Sequence, residues 1–147
     1  AADNVLPTEG AIFITVNDSD KRGVTPIARR FHEMGFRLVA TSGTAKYLRG
    51  RGIPTESVLK IYEGRPNGVD LMLNGEIKLM INTPLGKESQ RDDYTMRQAA
   101  IANHVAYTTT LSAANAACDA ILSLRSRAPS VLSLQEWHAR IPREAEV

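Results

Sequence analysis

Short apolar, β-branched runs alternate with stretches of helical period along this chain, and that alternation restricts its fold more than any other feature. AIFITV (11–16) is followed by a stretch in which Val24, Ile27, Ala28, Phe31 and Met34 recur at helical spacing, closed by Gly35. RLVAT (37–41) leads into a helix expected over 43–51, and SVLKI (57–61) leads into NGVDLMLNG, where Val69, Met72 and Leu73 share a face. KLMINT (78–83), a polar loop PLGKESQRDD, a helix near 93–103, VAYTT (105–109) and a helix near 111–124 complete the series. Five strands, each followed by a helix, need crossover connections, so neighbouring strands run parallel and helices cover both faces. The expected fold class is α/β: a three-layer sandwich around a five-stranded parallel sheet.

Composition bounds the rest. At 147 residues, 43% hydrophobic and 23% charged, the chain suffices for one core and leaves no room for a second domain. No apolar run reaches the roughly 18 residues a bilayer demands, and AADNVLPTEG lacks the basic and apolar regions of a signal peptide, so a soluble, cytoplasmic domain is expected. The net charge of +2 comes from scattered basic residues with few aromatics, which argues against a nucleic-acid surface. Cys118, the single cysteine, lies in the alanine-rich LSAANAACDAIL and is expected on a buried helix face. Residues 126–147 leave the pattern: SRAPS is expected to break the chain, VLSLQEWHARI to form a short strand plus helix, and PREAEV to fray.

In an open parallel sheet, ligands bind beyond the carboxyl ends of the strands, where helix N-termini also point. Here those ends carry Thr15, then Thr41-Ser42-Gly43-Thr44, Lys60, Asn82-Thr83 and Thr108-Thr109-Thr110. Helix capping explains any one of these threonines. Taken together, with Gly43 allowing close backbone approach and Lys21 and Lys60 nearby, the set suits a phosphate. The sequence has neither G-x-G-x-x-G after its first strand nor the G-x-x-x-x-G-K of a P-loop, so a mononucleotide or small phosphorylated metabolite fits better than a dinucleotide. His32, His104 and His138 fall on or after helices, away from this rim. Asp18, Asp20, Glu63, Asp92 and Asp93 offer no convincing general acid or base, and no Cys/His cluster has metal-ligand spacing.

ITVNDSDK, VATSGTAKYL, VLKIYEGRPN, INTPLGKESQRDD and YTTTLSAANA, in this order, resemble the C-terminal allosteric domain of the large subunit of carbamoyl phosphate synthetase, within the methylglyoxal-synthase-like domain family. The resemblance runs from about Leu6 to Ile141 and implies a Rossmann-like five-stranded sheet with a regulatory pocket at the strand ends. In bacterial members that pocket takes UMP as inhibitor or IMP as activator, and ornithine binds at the boundary with the adjoining synthetase domain. By motif, Thr15, Lys21, Thr41, Ser42, Gly43, Thr44 and Lys60 would surround the phosphate, while Asn82, Thr83, Gly86 and Lys87 would line the ribose and base side.

The resemblance implies no cofactor in this domain, ATP and magnesium in the parent enzyme, and as partners the remaining synthetase domains and the glutaminase small subunit. Self-association is a further implied role. Residues 1–10 would be a linker from the preceding domain, 11–141 the effector-binding domain and 142–147 a disordered tail. Related methylglyoxal synthases carry a catalytic aspartate within a Gly-Pro-x-Gly-Gly-Asp turn. Here EGRPNGVD has Glu63 before and Asp70 after the turn, which argues against phospho-lyase activity.

Overall fold

The computed structural model describes residues 9–84 and 90–132. Five strands, β1 (Ala11–Thr15), β2 (Arg37–Thr41), β3 (Glu56–Val58), β4 (Ile77–Asn82) and β5 (Ala106–Thr108), alternate with α1 (Lys21–Glu33), α2 (Ser42–Arg49), α3 (Gly68–Leu73), α4 (Gln90–Ala102) and α5 (Leu111–Leu132). Short 3₁₀ turns cover Asp18–Asp20 and Ile61–Glu63. The strand order is β3-β2-β1-β4-β5, and every neighbour is parallel, as the alternation predicts.

β1 is central and buried at all five positions, which is why AIFIT is apolar throughout rather than alternating. Its side chains divide between the two faces. Ile12 and Ile14, with Leu38, Ala40, Leu79 and Ile81, meet Val24, Ile27 and Phe31 of α1, Leu48 of α2, and Cys118 and Ile121 of α5. Ala11 and Phe13, with Val39 and Met80, meet Met72 of α3 and Met96 and Ala100 of α4. Each large apolar side chain so enclosed contributes roughly 1.5–3 kcal/mol relative to exposure. On the second face α3 lies flush against the sheet at Gly68, where a Cβ would stand 2.2 Å from Phe13 Cε2.

Several boundaries differ from the sequence expectation: α4 begins at Gln90, inside the expected loop PLGKESQRDD, and two further shifts have visible causes. The third strand ends at Val58 and does not continue to Ile61, because the Lys60 amide donates to Glu63 Oε1 (2.8 Å) and turns the chain into a 3₁₀ turn, leaving Leu59 one isolated bridge to Asn67. SRAPS does not break the last helix, which continues to Leu132. Docking before that segment is strong: Cys118 and Ile121 are buried, and the Arg125 guanidinium donates to the Met34 carbonyl while lying 4.9 Å over the Phe36 ring. The expected linker residues 1–8 and everything after 132 lie outside the described residues. Among the described residues no helix is long and apolar enough to cross a membrane.

The chain builds outward from β1 in one direction through β2 and β3, then in the other through β4 and β5. The carboxyl ends of β1 and β4 therefore flank the point where strand order reverses, and the loops leaving them diverge and open a crevice.

Candidate functional site

One half of this rim is built from the start of α2. Thr41 ends β2 as the N-cap residue in extended conformation, yet its side chain makes no cap hydrogen bond. Ser42 and Gly43 are exposed and Thr44 is buried, so the first-turn amides, the positive end of the helix, face outward without a side-chain acceptor from Thr41. Lys21, the first residue of α1, brings its Nζ to 3.4 Å from the position a Cβ on Gly43 would occupy. An alanine Cβ at 43 would meet this ammonium in ordinary contact, and only a side chain with atoms beyond Cβ would crowd it.

Lys21 Nζ also binds Asp18 Oδ1 at 2.5 Å. That hydrogen bond, followed by the Lys21 charge itself, holds the Asp18 carboxyl below the usual carboxylate range, and the charge of Lys60 adds to the effect. Lys60 lies at the end of the β3 connection, just before the Ile61–Glu63 turn. The structure sets Lys21 against the Thr41–Thr44 corner, while Lys60 is linked to it through its charge on Asp18.

The other half is a buried network. Thr15 Oγ1 donates to Asn82 Oδ1 (2.6 Å), and Asn82 Nδ2 donates to Tyr107 Oη (2.7 Å) and Asp93 Oδ1 (3.3 Å). Thr83 Oγ1 accepts from the Asn17 amide (3.0 Å), while Asn17 Nδ2 reaches the Pro84 carbonyl (2.9 Å). Thr15, Asn82 and Thr83 are buried, and their hydroxyls and amide stitch the ends of β1, β4, β5 and α4 together. They lie at the carboxyl ends of β1 and β4. Gly86 and Lys87 lie outside the described residues. Thr108 and Thr110 serve the fold: Thr108 Oγ1 donates to the Met80 carbonyl (3.2 Å), and Thr110 Oγ1 caps α5 by accepting from the Ala113 amide (3.0 Å).

Sequence reasoning missed Asn17 and Tyr107 and gave Asp18 and Asp93 no place in the site. Tyr107 sits mid-strand with no motif around it; Asn17 had a local signal, since Asn three residues before Asp20 is a capping pattern, and its Oδ1 does accept from the Asp20 amide at 2.8 Å.

Asp70 is fully engaged elsewhere. It accepts from the Asn67 amide (2.9 Å) and from Arg65 Nε (2.9 Å), with Arg65 Nη2 at 2.7 Å, while Asn67 caps α3 through the Val69 amide (2.9 Å). The Arg65 guanidinium and then the Asn67 amide lower its carboxyl pKa, which makes it a poor base. His32 and His104 are exposed, and burial pushes the Cys118 thiol up, away from reactivity. Among the described residues there is no group of three or more His, Cys, Asp or Glu placed to hold a metal ion.

A five-stranded parallel sheet flanked by helices, with the Lys21 ammonium against an open helix start at one rim, defines a Rossmann-like α/β domain. The chain belongs to the MGS-like domain family, whose model matches residues 23–109. It is 59% identical over 138 residues to the carbamoyl phosphate synthase large chain of Gemmatimonas aurantiaca, an alignment covering 94% of this chain and 13% of that protein. It is 48% identical over 139 residues to the C-terminal section of the large chain from Methanopyrus kandleri, covering 94% of this chain and 26% of that one. The chain thus spans only a small part of the length of these relatives. Methylglyoxal synthase from Elizabethkingia anophelis shares the fold, with a TM-score of 0.62 at 18% identity over 80% of each chain.

Proposed function

We propose that this chain is a non-catalytic regulatory domain of a glutamine-dependent carbamoyl phosphate synthase, and that it binds a nucleoside monophosphate by its phosphate at the Thr41–Thr44 corner. The observation that carries the reading is Lys21 Nζ lying against Gly43 beside the open first turn of α2; the charge of Lys60 also acts on Asp18. An anion there meets backbone amides, a helix dipole and two ammonium groups. UMP as inhibitor and IMP as activator share this phosphate, Thr15, Asn82 and Thr83 shape the ribose and base side, and ornithine acts at the boundary with the next domain. The partners are the other synthetase domains and the glutaminase small subunit, and ATP with magnesium belongs to them.

Such a domain works by binding effector more tightly in one state of the parent enzyme, a coupling of roughly 1–3 kcal/mol. Calorimetry of the chain with UMP and IMP tests the reading. Binding is expected, and Lys60→Ala should weaken it by on the order of tenfold or more, the scale of a lost charge-assisted hydrogen bond. Absence of heat or competition from either nucleotide would overturn it. The shared fold with methylglyoxal synthase raises a phospho-lyase as the rival, but Asp70 is tied to Arg65 and Asn67 and held at low pKa. Release of methylglyoxal from dihydroxyacetone phosphate would decide for the rival.

A further inference from the structure

The ammonium that a phosphate needs at this corner already has a carboxylate on it. Asp18 Oδ1 lies 2.5 Å from Lys21 Nζ, the same atom that stands over Gly43. The two partners differ in setting: the Lys21 side chain is 18% exposed, that of Asp18 93%. The turn that presents Asp18 is fixed without its carboxylate. Asn17 Oδ1 accepts from the Asp20 amide and from Ser19 Oγ (both 2.8 Å), and the Asn17 amide and side chain are anchored on Thr83 and Pro84. Asp18 can therefore leave Lys21 without disturbing the backbone.

We infer that Asp18 is a built-in competitor for the effector's phosphate: its carboxylate occupies Lys21 while the pocket is empty, and a doubly charged phosphate monoester displaces it. The inference rests on the phosphate-binding reading given above. With Asp18 in place the Lys21 ammonium is neutralised; with Asp18 turned into solvent its charge is available to a phosphate monoester, whose second pKa is near 6. A singly charged ligand gains from Lys21 little beyond what Asp18 already supplies, so the exchange favours dianions. Because the pair is exposed on the Asp18 side, displacing it costs little and sets affinity by a modest factor.

Calorimetry with UMP, on the wild type, Asp18→Asn, Lys21→Met and the double variant at one ionic strength, tests this. Asp18→Asn should bind up to about fivefold more tightly, the range of an exposed ion pair. In the Lys21→Met background the same change should do nothing, since Asp18 acts through that ammonium. Thermal melts check that each variant is folded. Wild-type binding with Asp18→Asn unchanged or weaker overturns the inference alone, as does tightening that persists without Lys21, which would be a diffuse charge effect. Silence from both wild type and Asp18→Asn overturns the inference together with the reading beneath it. Binding gained only on removing Asp18 supports both.

Discussion

Gly43 and Gly68 differ in what a side chain would meet there: an ordinary contact at Gly43, a clash at Gly68. At Gly43 the neighbour is the Lys21 ammonium, 3.4 Å from the Cβ position at an exposed helix start. At Gly68 it is the buried Phe13 ring at 2.2 Å and Met96 Cε at 2.6 Å. Gly43→Val, whose branched γ carbons extend past the Cβ position toward the ammonium, should leave the urea midpoint close to wild type while weakening UMP binding by on the order of tenfold. Gly68→Ala should do the opposite, destabilising by about 1–3 kcal/mol through overpacking while the folded protein binds UMP as before. Urea titrations and calorimetry on both variants check the pair. Equal effects on stability and binding at Gly43 would mean that Lys21 is positioned by something other than the space over that residue.

At the scale of elements, α3 shows how a short helix is held by its entry loop. Asn67 caps it and Asp70 closes the loop onto Arg65 and the Asn67 amide, so Asn67→Ala should cost about 1 kcal/mol. The carboxyls of Asp70 and Glu56 are both depressed, Asp70 by Arg65 first and Glu56 by Arg37. A folded pKa below the unfolded one gives stability that is complete above the unfolded value, about 4, and lost as pH falls through the folded one. Urea midpoints should thus hold from neutral pH to about 5 and then decline below about 4, and Asp70→Asn should soften that decline. An acid limb identical in Asp70→Asn would assign it to other groups. Long periodic elements such as α1 were legible because Val24, Ile27, Ala28 and Phe31 repeat at helical spacing and all are buried. The end of β3 was not, since whether Lys60 continues a strand depends on Glu63 taking its amide. Nor was the run of α5 through SRAPS, since a proline's local cost is read from sequence and the docking that precedes it, Arg125 on Met34 and Phe36, is not.

The whole molecule is polar along its strands. At the amino ends Arg37 is bound to Glu56 (2.8 Å) with Glu76 at 3.5 Å, and Arg49 Nε donates to the Thr55 carbonyl (2.7 Å), so those charges hold the fold. At the carboxyl ends the positions of the Thr41–Thr44 corner and of Lys21 were legible in the sequence, because strand ends and the helices after them follow from the alternation, whereas Lys60 lies beyond the end of β3. The inward role of Thr15 and Asn82 was not legible, for their bond joins residues 67 apart and local pattern carries no register between β1 and β4. This polarity makes a prediction for hydrogen exchange with and without UMP. Amides of β1 and β4, buried in the sheet, exchange through global opening and should slow by the linkage factor, about a hundredfold at a hundred times Kd, or about 2.7 kcal/mol. The first turn of α2, the Asp18–Asp20 turn and the Lys60–Glu63 turn open locally and should gain protection of their own. The turn after Arg49 and the start of β2, at the opposite rim, should change no more than global linkage requires. Local protection appearing there instead would move the effector site to the amino ends of the strands, beside Arg37 and Arg49, and would leave the carboxyl rim without its ligand.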